Sequence, residues 1–261
     1  MRARQLPSPR RTAIRRLALA AAALAPCLLA PGVEAGCGDS PGPKVNWSGC
    51  SKRQLMLSGS DLSGGVFGKA VLGSTDFTRA KLAGASFAEG DVSFSRFDGA
   101  DLGGSDLTRV VGWQASFRGA NLAEAKLVTA QMSRATFAGA KLAGAVLAKA
   151  ELNRSDFGGA DLGGADISKA ELSRVNFEGA KMGNADLRFS NLSRARFAGA
   201  ALAGAKLDGA YLFLTRLDRA DLSGATGLKQ GQVDIACGGP ETMLPAGLQR
   251  PAAWPCGADD D

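Results

Sequence analysis

Apolar side chains recur along this chain with a period of five. From Leu57 to Leu222 every fifth residue (Leu62, Phe67, Leu72, Phe77 and onward without a change of phase) is Leu, Phe, Ile, Met or Val at 33 of 34 positions, the exception being Gly112. Two residues before each stands Ala, Ser, Gly or Thr in 31 of the 34 cases, as in Ala120-Asn121-Leu122-Ala123-Glu124 and Ala160-Asp161-Leu162-Gly163-Gly164. The unit is A(D/N)LXX. A period of five fits neither a continuous helix, at 3.6, nor an extended strand, at 2, so the chain must turn once per unit.

This pattern resembles the pentapeptide-repeat family over residues 55–226. The resemblance implies an all-β solenoid, a right-handed quadrilateral β-helix with four pentapeptides per coil and about 8 to 9 coils. It also implies that the large central residue and the small residue two before it point inward, which suits a narrow interior where a small side chain must lie beside a large one. The phenylalanines agree with four units per coil. Phe77, Phe97, Phe117, Phe137, Phe157, Phe177 and Phe197 are spaced by 20 and would stack in one inner column, whereas three units per coil would scatter them.

Composition sharpens this picture. Alanine and glycine, 47 and 35 residues, make up roughly a third of the chain, too strong a bias for an ordinary mixed core. Six arginines in the first 16 residues precede an apolar run from Leu17 to Leu29, which reads as an export signal over residues 1–35 with cleavage after Ala35. The arginine pairs match the twin-arginine route poorly. From Gly36 onward 25 Lys and Arg face 24 Asp and Glu, so the formal charge of +6 belongs mainly to the leader. No nucleic-acid or membrane affinity is expected from charge, and no transmembrane segment in the mature chain.

Segments 36–54 and 227–261 flank the repeat as N- and C-terminal caps, and Gly227 to Ala236 reads as a short helix over the last coil. They hold the four remaining cysteines, Cys37, Cys50, Cys237 and Cys256, an even number suited to an oxidising compartment. In the fold implied by the resemblance the ends lie roughly 40 Å apart, beyond the reach of one disulfide, so the pairs expected are Cys37 with Cys50 and Cys237 with Cys256. Ala35-Gly36-Cys37 is also similar to the end of a lipoprotein signal, but Glu34 stands where that motif has an aliphatic residue, and acylating Cys37 would orphan Cys50. The expected location is the periplasm or the extracellular space.

Three surface features are candidates for function. Arg134, Arg154, Arg174 and Arg194, spaced by 20, form a basic column; they are either a stripe for an acidic partner or a solvated face partly neutralised by Glu151 and Glu171. Trp113 follows the defective position Gly112 near Val111 and Phe94. Either it belongs to an exposed aromatic patch, or the glycine permits a bulge through which Trp113 or Val111 refills the vacant interior slot. Tyr211, Phe213 and Leu214 are either covered by the C-terminal tail or form a homodimer contact at that end.

Catalysis finds no support. With no histidine in the chain, imidazole bases and His metal sites are excluded; no phosphate-binding loop, dinucleotide fingerprint or nucleophile elbow occurs. Asp156, Asp161 and Asp166 fall on successive faces and do not converge. No cofactor is expected. The chain reads as an exported, non-enzymatic scaffold whose partner is a protein or an anionic glycan. A DNA-mimicking gyrase modulator, a role the resemblance brings to mind, would need a strongly negative surface and access to its target.

Overall fold

A computed structural model of the chain describes residues 36–254 and 256. The expected export signal, residues 1–35, lies outside them. The backbone pairs with itself at a fixed offset. Asn46 forms a parallel bridge with Val66, Ser51 with Val71, Met56 with Asp76 and Asp61 with Lys81, and the series continues unbroken to Lys206 with Thr226. Four pentapeptides therefore make one coil of a right-handed, four-sided β-helix. Each side is so short that it contributes a single bridge residue per coil. Around Leu62 the ladder is typical: Leu62 N–H donates to Lys81 O at 2.8 Å and Lys81 N–H to Ser60 O at 2.9 Å.

The corners follow from the two X positions. Gly65 N–H donates to Leu62 O at 2.9 Å, closing a turn whose third residue, Gly64, has φ +65°, the signature of a type II turn. The D/N position braces the same turn. Asp161 Oδ1 accepts from Gly163 N–H at 3.1 Å, Asp166 Oδ1 from Ser168 N–H at 3.0 Å and Asn121 Oδ1 from Ala123 N–H at 3.2 Å. These are Asx bonds, in which a short polar side chain reaches the amide two residues on.

Each wall is named by one of its large central residues. The Phe77 wall carries the expected column, with consecutive rings from Phe77 to Phe197 stacked at centroid distances of 4.6 to 5.3 Å. All are buried. On the opposite wall, Trp47, Phe67 and Phe87 form a second, shorter column, and Phe87 meets Phe77 and Phe97 edge-on at 5.9 and 5.7 Å. Trp47 occupies a central position, which starts the coil register at Asn46, within the segment assigned from sequence to the N-terminal cap. Several polar groups at the small inward positions are satisfied between coils, although Ser105 Oγ is buried without a partner and the Ser190 hydroxyl donates within its own turn to Leu187 O. The hydroxyls of Ser95, Ser155 and Thr215 donate to the carbonyls of Leu72, Met132 and Leu192 at 2.9, 2.9 and 2.7 Å, as burial requires.

Both expected disulfides are formed, Cys37 with Cys50 and Cys237 with Cys256, at Cα separations of 5.6 and 5.5 Å. At the C-terminal end, helix α1 (Gln230–Asp234) interrupts the ladder. Its Gln232 donates to Leu207 O at 2.9 Å and Ala210 O at 2.8 Å, satisfying carbonyls of the last coil, while Val233 is buried. Beyond it, Cys237 pairs with Arg216 and Met243 with Asp221, and Trp254 donates from Nε1 to Ala236 O at 2.7 Å. The end of a solenoid needs such a cover because its last coil has no neighbour.

Candidate interaction surface

The Leu72 wall carries all three sequence candidates. Its central residues run Leu72, Val92, Gly112, Met132, Leu152 and on to Leu212, and its outward corner is the third turn residue of each unit. That corner holds Arg134, Arg154, Arg174 and Arg194 at φ +61°, +61°, +59° and +57°. Left-handed backbone costs a residue with a Cβ about 1 kcal/mol that glycine avoids. Yet this corner contains no glycine from Gln54 to Leu214, whereas the corner of the Leu62 wall is mostly glycine.

The four arginines form no ion pair among the described residues. Glu151 and Glu171, which could partly neutralise the row, form no ion pair with it. Glu171 Oε2 instead accepts from Asn191 Nδ2 at 2.9 Å, one coil away. Outward residues find partners along the stack, where equivalent positions are one rung apart: Asn176 Nδ2 donates to Asp156 at 2.8 Å, Asn121 Nδ2 to Asp101 at 2.7 Å, and Arg109 and Lys69 flank Glu89. In the arginine row the rung neighbours are other arginines, so each guanidinium faces solvent beside a like charge.

Trp113 lies on the surface, 41% exposed, with Val111 at 38%. The interior refilling that sequence left open does not happen. Val111 keeps its place in the ladder, bridged to Asp91 and Gln131, and the slot at Gly112 is closed from neighbouring coils by Met132 and Val92. Trp113 packs edge-on against exposed Phe94, with centroids 5.0 Å apart. At the other end of the row Tyr211 and Phe213 stack at 6.2 Å and are 50% and 42% exposed, so the described part of the tail leaves them uncovered. The arginine row is thus bracketed by two pairs of exposed rings on one wall.

Near the second pair, Arg174, Arg194, Arg196 and Leu214 line a shallow groove of about 270 Å³. Arg196 is held by Glu178, which accepts from Nε at 2.8 Å. The carboxylates of Asp156, Asp161 and Asp166 are taken up by turn amides. Among the described residues no group of three Cys, Asp or Glu is placed to hold a metal ion, and no helix is long and apolar enough to cross a membrane.

The family profile described as "Pentapeptide repeat region" matches residues 130–207, and that described as "Pentapeptide repeats (8 copies)" matches 57–92, 95–130 and 195–226. No curated protein matches the sequence significantly. Among solved structures, the chain is similar to HetL, a pentapeptide repeat protein involved in heterocyst differentiation regulation from the cyanobacterium Nostoc sp. strain PCC 7120. The identity is 28%, covering 78% of this chain and 94% of HetL, with a TM-score of 0.53. It is also similar to a trypsin-treated form of QnrB1, a plasmid-mediated fluoroquinolone resistance protein (14% identity, 77% and 92% coverage, TM-score 0.39). A third match is a pentapeptide repeat protein from the Arabidopsis thaliana thylakoid lumen (23%, 50% and 82%, 0.30). With a period of five, an offset of 20 in every rung from Asn46 to Thr226 and profile matches along nearly the whole coil, the chain belongs to the pentapeptide-repeat family.

Proposed function

We propose that this protein is an exported, non-enzymatic scaffold that docks a partner along its Leu72 wall. The observation that carries the reading is the row of four arginines that form no ion pair among the described residues, bracketed by exposed ring pairs on the same wall. Charges repeated at this spacing repel one another, and exposed aromatic pairs lose favourable burial; a ligand of opposite charge that also covers the rings relieves both. Export is supported by the leader-like first 35 residues and by two disulfides, which persist in oxidising compartments. With its sulfur engaged by Cys50, Cys37 is an unsuitable lipid anchor. HetL's involvement in a regulatory process is compatible with recognition rather than turnover.

The test is site-specific crosslinking of the disulfide-bonded protein in its native envelope. A photoreactive side chain at Ser173, on the Leu72 wall, is expected to capture a partner, and one at Lys141, on the Leu62 wall, is not. Equal capture from both, or none from Ser173, refutes the reading. Sequencing of the exported chain is expected to start at Gly36.

A further inference from the structure

The chemistry of the Leu72 wall narrows the partner's class, an inference that rests on the docking role proposed above. Four guanidinium groups in line, one per rung at about 4.8 Å, span about 14 Å from Arg134 to Arg194. A single small anion uses one or two of them; a row matched rung by rung asks for a polymer with an anionic group at every repeat. Guanidinium forks pair with planar carboxylates through two hydrogen bonds each.

The rest of the wall is built for hydroxyl groups. Beside the arginine row run Ser133, Asn153, Ser173 and Ser193, all partly accessible, and on the other side of the wall lie Glu151 and Glu171. No apolar side chain is exposed between the two ring pairs on this wall, so it offers no groove for an amphipathic helix. An acidic peptide presents carboxylates without ring hydroxyls. A 1,4-linked chain of sugar acids presents both. It carries one carboxylate per ring, and its hydroxyls can donate to Glu151 and Glu171 and pair with the Ser and Asn row. The C–H faces of its rings pack against the negative faces of aromatic side chains, which Trp113 and Tyr211 present at either end. The corner keeps arginine on left-handed backbone where glycine would be relaxed, as does the corner that carries Lys69, Arg109, Lys149 and Lys169.

We propose that the Leu72 wall binds a linear polyuronate lying parallel to the coil axis, its carboxylates on Arg134, Arg154, Arg174 and Arg194 and its terminal rings on Trp113 and Tyr211.

The experiment is calorimetric titration of the disulfide-bonded protein with oligogalacturonates of increasing length, with their carboxyl-reduced counterparts and with poly-L-glutamate. Affinity for oligogalacturonate is expected to rise with length until about six sugars span the wall, to fall with added salt, and to vanish on carboxyl reduction. Arg154→Ala with Arg174→Ala is expected to weaken binding about tenfold or more and Trp113→Ala about threefold or more. Arg79→Ala with Arg219→Ala, at the same turn position on the Phe77 wall, leaves it unchanged. Thermal unfolding of each variant confirms that the coil persists. Oligogalacturonate binding that ignores the Arg154/Arg174 pair overturns the proposal, as does the absence of such binding. If poly-L-glutamate alone binds with the same arginine dependence, the polyuronate is wrong while docking on the Leu72 wall stands; crosslinking from Ser173 decides that role independently.

Discussion

A Cβ built on Gly112 would lie 2.8 Å from Cε and 3.3 Å from Cγ of Met132, one coil further on. Met132 thus occupies the space that the one missing central side chain leaves open. The two positions are coupled, and their substitutions are not additive. Gly112→Leu forces Met132 and Val92 apart and is expected to cost about 1 to 3 kcal/mol by overpacking. Met132→Ala empties the slot and costs about 2 to 5 kcal/mol. The double variant restores one large side chain at the site and is expected to be clearly more stable than the two costs added. Denaturant titration of the four proteins measures this, and strict additivity would show that Met132 does not fill the slot.

Phe117 is buried between Phe97 and Phe137, with centroids at 4.7 and 5.0 Å and nearly parallel planes. Its removal opens a gap in the middle of a column of stacked rings. Phe117→Ala is expected to cost about 3 to 5 kcal/mol. Phe117→Leu, which substitutes the residue the other walls use, should cost less than about 1.5 kcal/mol. Chemical denaturation checks both, and equal costs for the two would argue that the column is not close-packed.

The coil itself was legible because its cause is local and repeated. A period of five announces one turn per unit, and seven phenylalanines spaced by 20 announce four units per coil. The second ring column was less visible, since Trp47 lies before the regular repeat and only the register shows that it sits above Phe67. Gly112 could be recognised as a defect but not as one that Met132 repairs, because that depends on how far a flexible side chain reaches between coils. Glu151 and Glu171 form no ion pair with Arg154 and Arg174 for a geometric reason. Residues three apart sit on opposite sides of a wall, while those 20 apart stack directly, so Glu171 turns to Asn191. The Asp and Asn residues, which do not converge on a site, prove to brace the corners, a role that appears only once the turn puts an amide two residues on within reach.

Those braces make the fold sensitive to acid. The Ser63 hydroxyl and N–H donate to Asp61 at 2.7 and 3.1 Å, and Ser223 treats Asp221 likewise at 2.6 and 3.0 Å. The hydroxyl first and the amide second hold each carboxyl below the usual aspartate value of 3.8. The Arg188 guanidinium lowers Asp186 and the Arg109 guanidinium lowers Glu89. The unfolded chain therefore takes up these protons at a higher pH than the folded one. The stabilisation is complete above the ordinary carboxylate range and is lost as pH falls through the lowered folded-state values. Stability is expected to be level from about pH 7 to 5 and to decline below about pH 4. Ser63→Ala with Ser223→Ala is expected to lower stability at neutral pH and to flatten the acid decline. An unchanged decline, followed by circular dichroism across the titration, would show that these hydroxyls do not set the carboxyls.

The arginine corner sets stability against recognition. Arg154 sits at φ +61°, where a Cβ crowds the backbone and glycine does not. Arg154→Gly relieves about 1 kcal/mol of that crowding but adds a comparable cost, about 0.5 to 1 kcal/mol, because glycine leaves the unfolded chain freer. With no ion pair to lose, the variant is expected to be as stable as the parent or up to about 0.5 kcal/mol more so. Arg154→Ala retains the Cβ and its crowding and is expected to be no more stable than the parent. Unfolding curves rank the three proteins. A loss of more than about 1 kcal/mol in Arg154→Gly would mean that the guanidinium stabilises the coil, and the argument that this corner keeps its arginines for a ligand would fall with it.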